Sequence, residues 1–305
     1  MNCAETIKEI TRQHLVENNG VALGQCLSAV GWVGGTVPEL TGHPNLIELS
    51  MDDTSGGYRA VGLALAGRRP IFICRYQGFM WFNAPPFTNY AAKAKEIWGY
   101  KVPIFIRAIA MDGAIGPVAG SSHHGIIMRM PGIRIIAPMT PQEYLMAWTC
   151  FMSLDSPFYI SEHRRSFLID YEMSNIINDK ANITIFAISA ARLNAIEAIK
   201  ILDKESIRCN LIHIVTLKPF LVTNQMIYSL ENSTHGGIVV DTDYENGTSK
   251  CLAFDIMKHV NKKICVLGLE EKTAGFAPHL DNLPPSPEKI AEKVKKPLQG
   301  VSNFL

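Results

Sequence analysis

Residues 51–70 read MDDTSGGYRAVGLALAGRRP. Two adjacent carboxylates and a Gly-Gly pair lead into a run of small apolar residues, which stops at Gly67 and a basic turn closed by Pro70. Ala60, Gly62, Ala64 and Ala66 make a slim helix that can pack closely on a neighbour. The acids at its mouth have two readings. Asp53 caps the helix, as Asp often does, or it presents a carboxylate to something held beside the helix. Apolar runs flank the stretch, NLIELS at 45–50 and PIFIC at 70–74. The local order is therefore strand, helix, strand, the unit of a parallel sheet.

The same alternation continues outward. Thr6 to Asn18 has helical spacing, and VALGQ (21–25) reads as a short buried strand. Ala84 to Trp98 reads as a helix, PIFIRAIA (103–110) and IRIIAP (133–138) as strands, and SPFYIS (156–161) as the last strand of the first half. TPQEYLMAWTCFMS (140–153) carries its own start signal: Thr140 at the cap, Pro141 in the first turn and Glu143 to complete a capping box. A second series opens with ITIFAIS at 183–189. CNLIHIV (209–215), GGIVVD (236–241) and KICVLGL (263–269) follow as strands separated by helical segments. Continuous apolar strands between helices predict an α/β fold with mostly parallel sheets covered on both faces. We expect a first domain over 1–168, a linker over 169–181 and a second domain over 182–305. The tail from Ala277, rich in Pro and Asn, reads as a segment draped over a surface.

Bulk properties narrow the function. The 305 residues are 47% hydrophobic and 19% charged, which suits a large core. A formal net charge of +1 leaves no electrostatic footprint for nucleic acid or an acidic membrane. No apolar run reaches the 18 or so residues of a membrane span. The start, MNCAETIKEITRQHLVEN, is polar and amphipathic, unlike a secretory signal. Seven scattered cysteines with no C-x-x-C pair read as free thiols in a reducing compartment, so we expect a cytoplasmic protein. His123 and His124 lack acidic or Cys partners at ligand spacing. If they lie on a strand, they also point to opposite faces, so no metal site is expected.

The Rossmann, P-loop and nucleophile-elbow patterns do not occur. What remains is an ordered set: Asp53, the small helix, AGRRPI (66–71), Phe79, and NYAAK (89–93). SSHHG (121–125), MPGIRIIAPMTPQE (130–143) and DSPFYISE (155–162) follow, with the TLKPF turn and the GGIVVD strand in the second half. This set resembles the beta subunit of the thiamine-diphosphate-dependent decarboxylase component of 2-oxo acid dehydrogenases. More distantly, it resembles the C-terminal half of transketolase. Nearly the whole chain takes part.

The resemblance implies a transketolase-like pyrimidine-binding domain followed by a transketolase C-terminal-like domain. It implies that Asp53 contacts a ring nitrogen of the cofactor's aminopyrimidine and so helps draw a proton from the thiazolium carbon. The family has Glu at this position, and Asp is shorter by about 1.5 Å. Phe79 matches an aromatic that packs on the pyrimidine, although it is also a candidate core residue. Gln25 falls where the family has a Glu near the cofactor. His123 matches a His over the reacting carbon, with a structural His as the plain alternative and His124 as the second choice. Arg164, in EHRRS (162–166), lands where transketolase-like proteins grip a sugar phosphate; the alternatives are a solvated charge or an ion pair with Glu162 or with a partner chain.

The family's G-D-G motif, which holds diphosphate and magnesium, occurs nowhere in this chain. The resemblance therefore implies an alpha-type partner that carries it, a shared site for thiamine diphosphate and Mg, and an alpha2beta2 heterotetramer acting on a small carbonyl substrate. Asp53 and Gln25 also leave open a non-catalytic chain that keeps the fold for assembly.

Overall fold

The computed structural model describes residues 1–113 and 120–298. The chain divides into two compact units, one running to Glu172 and the other from Met173, with Asp112 and Gly113 grouped with the second.

In the first unit, α1 (Cys3–Val16) starts at a capping box in which Asn2 Oδ1 accepts from the Glu5 N–H and Glu5 accepts from the Asn2 N–H. It is followed by β1 (Val21–Gln25), the short turn α2 (Gly31–Gly35), β2 (Leu46–Leu49), α3 (Ser55–Leu65) and β3 (Pro70–Cys74). Then come α4 (Met80–Pro85), α5 (Ala92–Trp98), β4 (Phe105–Ala110), α6 (His124–Met128), β5 (Arg134–Ile136), α7 (Pro141–Ser153) and β6 (Phe158–His163). The strands pair in the order β2-β1-β3-β4-β6-β5, all parallel. Every residue of β3, β4 and β6 is buried. That is why these strands read as unbroken apolar runs rather than alternating ones.

Helix α7 packs through Tyr144, Ala147 and Phe151, spaced at helical intervals. The Phe151 ring lies 5.2 Å from Phe105 and 5.8 Å from Phe158, and Trp148 meets Phe105 edge-on at 5.2 Å. Each such aromatic pair adds about 0.5–1.5 kcal/mol to simple burial. The capping box at Thr140 and Glu143 forms. Glu172 reinforces it, taking the Thr140 hydroxyl and, at 2.9 Å, the Gln142 N–H.

Two elements depart from the sequence reading. The expected helix over 84–98 begins earlier, at Met80, and widens into a π-helical stretch over Pro86–Ala91 before α5. Pro85 and Pro86 lack the N–H donors that would continue a regular α-helix. His123 and His124 do not sit on a strand: His124 is the first residue of α6 and His123 precedes it.

The second unit contains β7 (Ile183–Ile188), α8 (Ala191–Asp203), β8 (Cys209–Ile214), β9 (Thr216–Lys218), α9 (Asn224–Glu231), β10 (Gly237–Tyr244), α10 (Thr248–Met257) and β11 (Ile264–Leu269). Its four-stranded parallel sheet runs β11-β10-β7-β8. The tail is not only a drape, because Pro287–Leu298 forms α11. Ile290, Ala291 and Val294 recur at helical spacing and are buried in one cluster with Ala191, Ala195, Ala198 and Leu202 of α8. That stripe lies between lysines and glutamates, and the prolines at 284, 285 and 287 obscured it.

One polar pair sits deep in the first unit. Arg107, in the middle of β4, donates to both carboxylate oxygens of Glu162 on β6, at 2.6 and 2.9 Å. It also donates to Thr36 Oγ1 at 2.8 Å. Arg107 is 1% exposed and Glu162 fully buried. Removing one partner strands the other's charge. Arg107→Ala should therefore cost about 3–5 kcal/mol, whereas Arg107→Met combined with Glu162→Leu should cost much less. Urea denaturation of the single and double variants measures the difference.

Candidate functional site

The carboxyl ends of parallel strands share one edge of a sheet, and ligands of open α/β sheets bind along that edge. Gln25 ends β1, Asp53 follows β2, Arg75 and Phe79 follow β3, and Arg164 follows β6. A small cavity of about 50 Å³ is lined by Gln25, Asp53, Gly56, Arg75, Phe79 and Asn83, among others. A site that encloses a small ligand by itself measures roughly 300–1,000 Å³, so this cavity is too small to enclose one. Three sequence-predicted residues, Asp53, Phe79 and Gln25, thus meet at one place.

The turn before α3 separates the roles of its two acids. Asp52 Oδ1 accepts from the Thr54 N–H at 3.0 Å, the Thr54 hydroxyl at 2.8 Å and the Ser55 N–H at 3.3 Å. Hydrogen bonds from Ser55 and Thr54 hold its carboxyl well below the usual range. The N-cap residue of α3, Thr54, makes no side-chain cap bond; the capping hydrogen bonds considered for Asp53 are supplied by Asp52, two residues before it. Asp53 contributes its backbone carbonyl to Asn83 Nδ2, and its carboxylate accepts no hydrogen bond from the described residues. Glu48, in β2, accepts from the Ser28 hydroxyl at 2.7 Å.

Asn83 fixes this turn from the other side. Its Oδ1 accepts from the Gly57 N–H at 3.0 Å while its Nδ2 donates to the Asp53 carbonyl, at 2.5 Å. The close approach requires glycine, since a Cβ on Gly57 would come within 2.5 Å of Pro86 Cγ. A Cβ on Gly56 would press on Leu49 and Phe72 at 3.0 Å.

Gln77 is the second organiser. Fully buried, it accepts from the His123 N–H at 2.6 Å through Oε1. Through Nε2 it donates to Ser161 Oγ at 2.8 Å and to the Ala108 carbonyl at 3.1 Å. His123 is half-buried, with its ring 6.4 Å from Trp81. Burial pushes its imidazole down to about 4. His124 is fully buried, and its Nδ1 lies 3.0 Å from Ser161 Oγ. That gives it a packing position rather than one open to a ligand.

Arg164 opens the turn after β6, with its guanidinium over the Tyr76 ring. The alternative ion pair with Glu162 does not form, because Arg107 occupies that carboxylate. Among the described residues, no three His, Cys, Asp or Glu side chains gather as metal ligands, and no helix is long and apolar enough to cross a membrane.

Sequence reasoning missed Asp52 as the source of the capping bonds, and Asn83, Gln77 and Arg75 altogether. The available signal was polar residues inside the aromatic-rich loop RYQGFMWFN (75–83), where a buried amide needs partners.

Two outcomes follow for this site. Asp52→Ala should lower the melting temperature while Asp53→Ala leaves it almost unchanged, as calorimetry of the two variants would show. By NMR, His123 should titrate near 4 instead of 6.5. The unfolded chain then binds more protons between those values, so stability is full above pH 6.5 and falls as the pH drops towards 4. His123→Gln should remove part of that acid sensitivity in pH-dependent denaturation.

The family described as "Transketolase, pyrimidine binding domain" matches residues 57–168, a span that begins just after Asp53. The acetoin:2,6-dichlorophenolindophenol oxidoreductase subunit beta of Cupriavidus necator is 26% identical over 282 residues, covering 84% of this chain and 81% of its own. The pyruvate dehydrogenase E1 component subunit beta of Rickettsia felis is 25% identical, over 85% of each chain. Among solved structures, a split gene transketolase described as an inactive beta4 tetramer superposes with a TM-score of 0.72 at 15% identity, over 98% of both chains. A transketolase from Pichia stipitis gives 0.75 at 16% identity, over 99% of this chain and 46% of that one, so this chain spans about half its length. Residues 57–168 thus match the transketolase pyrimidine-binding family, in a chain similar in sequence to beta subunits of pyruvate dehydrogenase E1 and of the acetoin oxidoreductase and similar in fold to a split gene transketolase.

Proposed function

We propose that this chain is the beta-type subunit of a split thiamine-diphosphate-dependent enzyme acting on a 2-oxo acid or ketose. It supplies the pyrimidine half of a site that an alpha-type chain completes. The observation that carries this reading is the cavity where Asp53, Phe79 and Gln25 converge. A carboxylate with no hydrogen bond from the described residues, an aromatic ring and an amide suit the edge and face of an aminopyrimidine. When bound, thiamine diphosphate supplies the acidic carbon at which a bond next to a carbonyl is cleaved or formed.

Asp53 would hold a proton against a ring nitrogen of the cofactor, and Asn83 fixes the turn that carries it. Phe79 would pack on the ring, and Gln25 would offer its amide at its edge. His123, neutral at pH 7 because of its burial, accepts or returns a proton near the reacting carbonyl. Arg164 grips an anionic end of the substrate.

Diphosphate and Mg fall to the alpha-type partner, since this sequence has no G-D-G. An alpha2beta2 heterotetramer in the cytoplasm is the assembly we infer, supported by the E1 beta relatives and by seven free cysteines. The split-gene transketolase neighbour, an inactive beta4 tetramer, is what such a chain would resemble without a partner. Asp53 and Gln25, standing where the resemblance implies Glu, favour a second reading, a non-catalytic assembly chain.

The chain alone should bind no thiamine diphosphate by calorimetry; tight binding would refute the shared site. In the reconstituted complex, Asp53→Asn should slow proton exchange at the thiazolium carbon by about 10²–10⁴-fold. Folding should be unaffected, because Asp52 supplies the capping bonds. Unchanged exchange would favour the non-catalytic reading.

A further inference from the structure

His123 stands in an irregular turn. Ser121, two residues before it, takes a left-handed backbone at φ +76°, which a non-glycine residue rarely adopts. The His123 side chain, at the N-cap of α6, makes no capping hydrogen bond, so the helix does not fix the turn through it. Gln77, 46 positions earlier, reaches the turn from the end of β3, and its Oε1 accepts the His123 N–H at 2.6 Å.

The sense of this amide is fixed by what surrounds it. Its Nε2 donates to Ser161 Oγ at 2.8 Å and to the Ala108 carbonyl at 3.1 Å, with the Glu162 carbonyl at 3.3 Å. A flipped amide would set its oxygen against two carbonyls and its NH₂ against the His123 N–H. Gln77 is fully buried, so water does not replace a lost partner. Gln77 also opens the short helical turn Gln77–Phe79. Phe79, two residues on, lines the cavity with Asp53 and Gln25. One side chain therefore ties the backbone of His123 to the loop that carries Phe79, and holds both against β4 and β6.

We propose that Gln77 is a positioning residue for His123. Its amide sets the His123 backbone at a fixed place relative to Phe79, so that the imidazole meets the reacting carbonyl of the substrate. This rests on the proton-transfer reading of His123 given above. The added element is that His123 takes its position from the Phe79 loop rather than from its own helix.

The test compares two substitutions in the full-length chain. Gln77→Met keeps the length of the side chain and removes its hydrogen bonds. Ser161→Ala removes one partner of Nε2 but leaves Oε1 on the His123 N–H. By NMR, the His123 titration should rise from about 4 towards 6.5 in Gln77→Met, as the released ring gains water. In Ser161→Ala it should stay at the wild-type value. Gln77→Asn is shorter by one methylene and withdraws the amide oxygen from His123, so it should shift the titration as Gln77→Met does; it decides the matter if Gln77→Met does not fold. A wild-type titration in the folded Gln77 variants, or an equal shift in Ser161→Ala, overturns the proposal, because either makes Gln77 an ordinary core residue. In the complex reconstituted with its alpha-type partner, the Gln77 variants should lose about 10²-fold in kcat with KM little changed, the loss that a misplacement of about 1 Å can produce. A shifted titration beside an unchanged kcat would refute the proton-transfer role of His123 and not the hold itself.

Discussion

Parallel strands buried on both faces deliver all their carboxyl ends to one edge, and the candidate site depends on that constraint. Gln25, Asp53, Arg75, Phe79 and Arg164 are far apart in sequence, yet each follows the end of a strand in the same sheet. No local preference brings them together. The hydrogen-bond register of β1, β2, β3, β4 and β6 does so, and the helices between those strands are the means of returning the chain to its starting edge.

Buried amides then set the fine geometry of the edge. Asn83 ties the first turn of α3 to the carbonyl of Asp53, and Gln77 ties β4 and β6 to the backbone of His123. Both amides use donor and acceptor ends at once, which favours a single arrangement over several. Beneath them the Arg107–Glu162 pair joins β4 to β6 at the centre of the sheet. This pair also keeps Glu162 from neutralising Arg164. A core ion pair thereby shapes the electrostatics of the rim.

Much of the fold was legible in sequence because its strands are continuous apolar runs and its helices carry local signals, as at Thr140, Pro141 and Glu143. The helix over Pro287–Leu298 was hidden because its apolar stripe is narrow, and it acquires meaning only when α8 is there to cover it. Placing His123 and His124 on a strand failed for a similar reason: four polar residues between Gly120 and Gly125 give no period to read. At the mouth of α3, Asp52 and Asp53 offer the same side chain. Which one caps depends on a turn geometry that no pattern of residue types encodes.

The sequence by itself determined the order of strands and helices, the Gly-Gly approach at α3 and the set of residues that resembles a pyrimidine-binding half-site. Those properties follow from local periodicity, backbone permissiveness and spacing along the chain. Only the tertiary structure decided that Asp52 takes the capping hydrogen bonds and leaves the Asp53 carboxylate beside the cavity. It also decided that His124 is packed inside and that Gln77 and Asn83 are organisers. These are outcomes of competition among nearby groups for a limited number of partners. They are settled by distances across strands that the linear order does not contain.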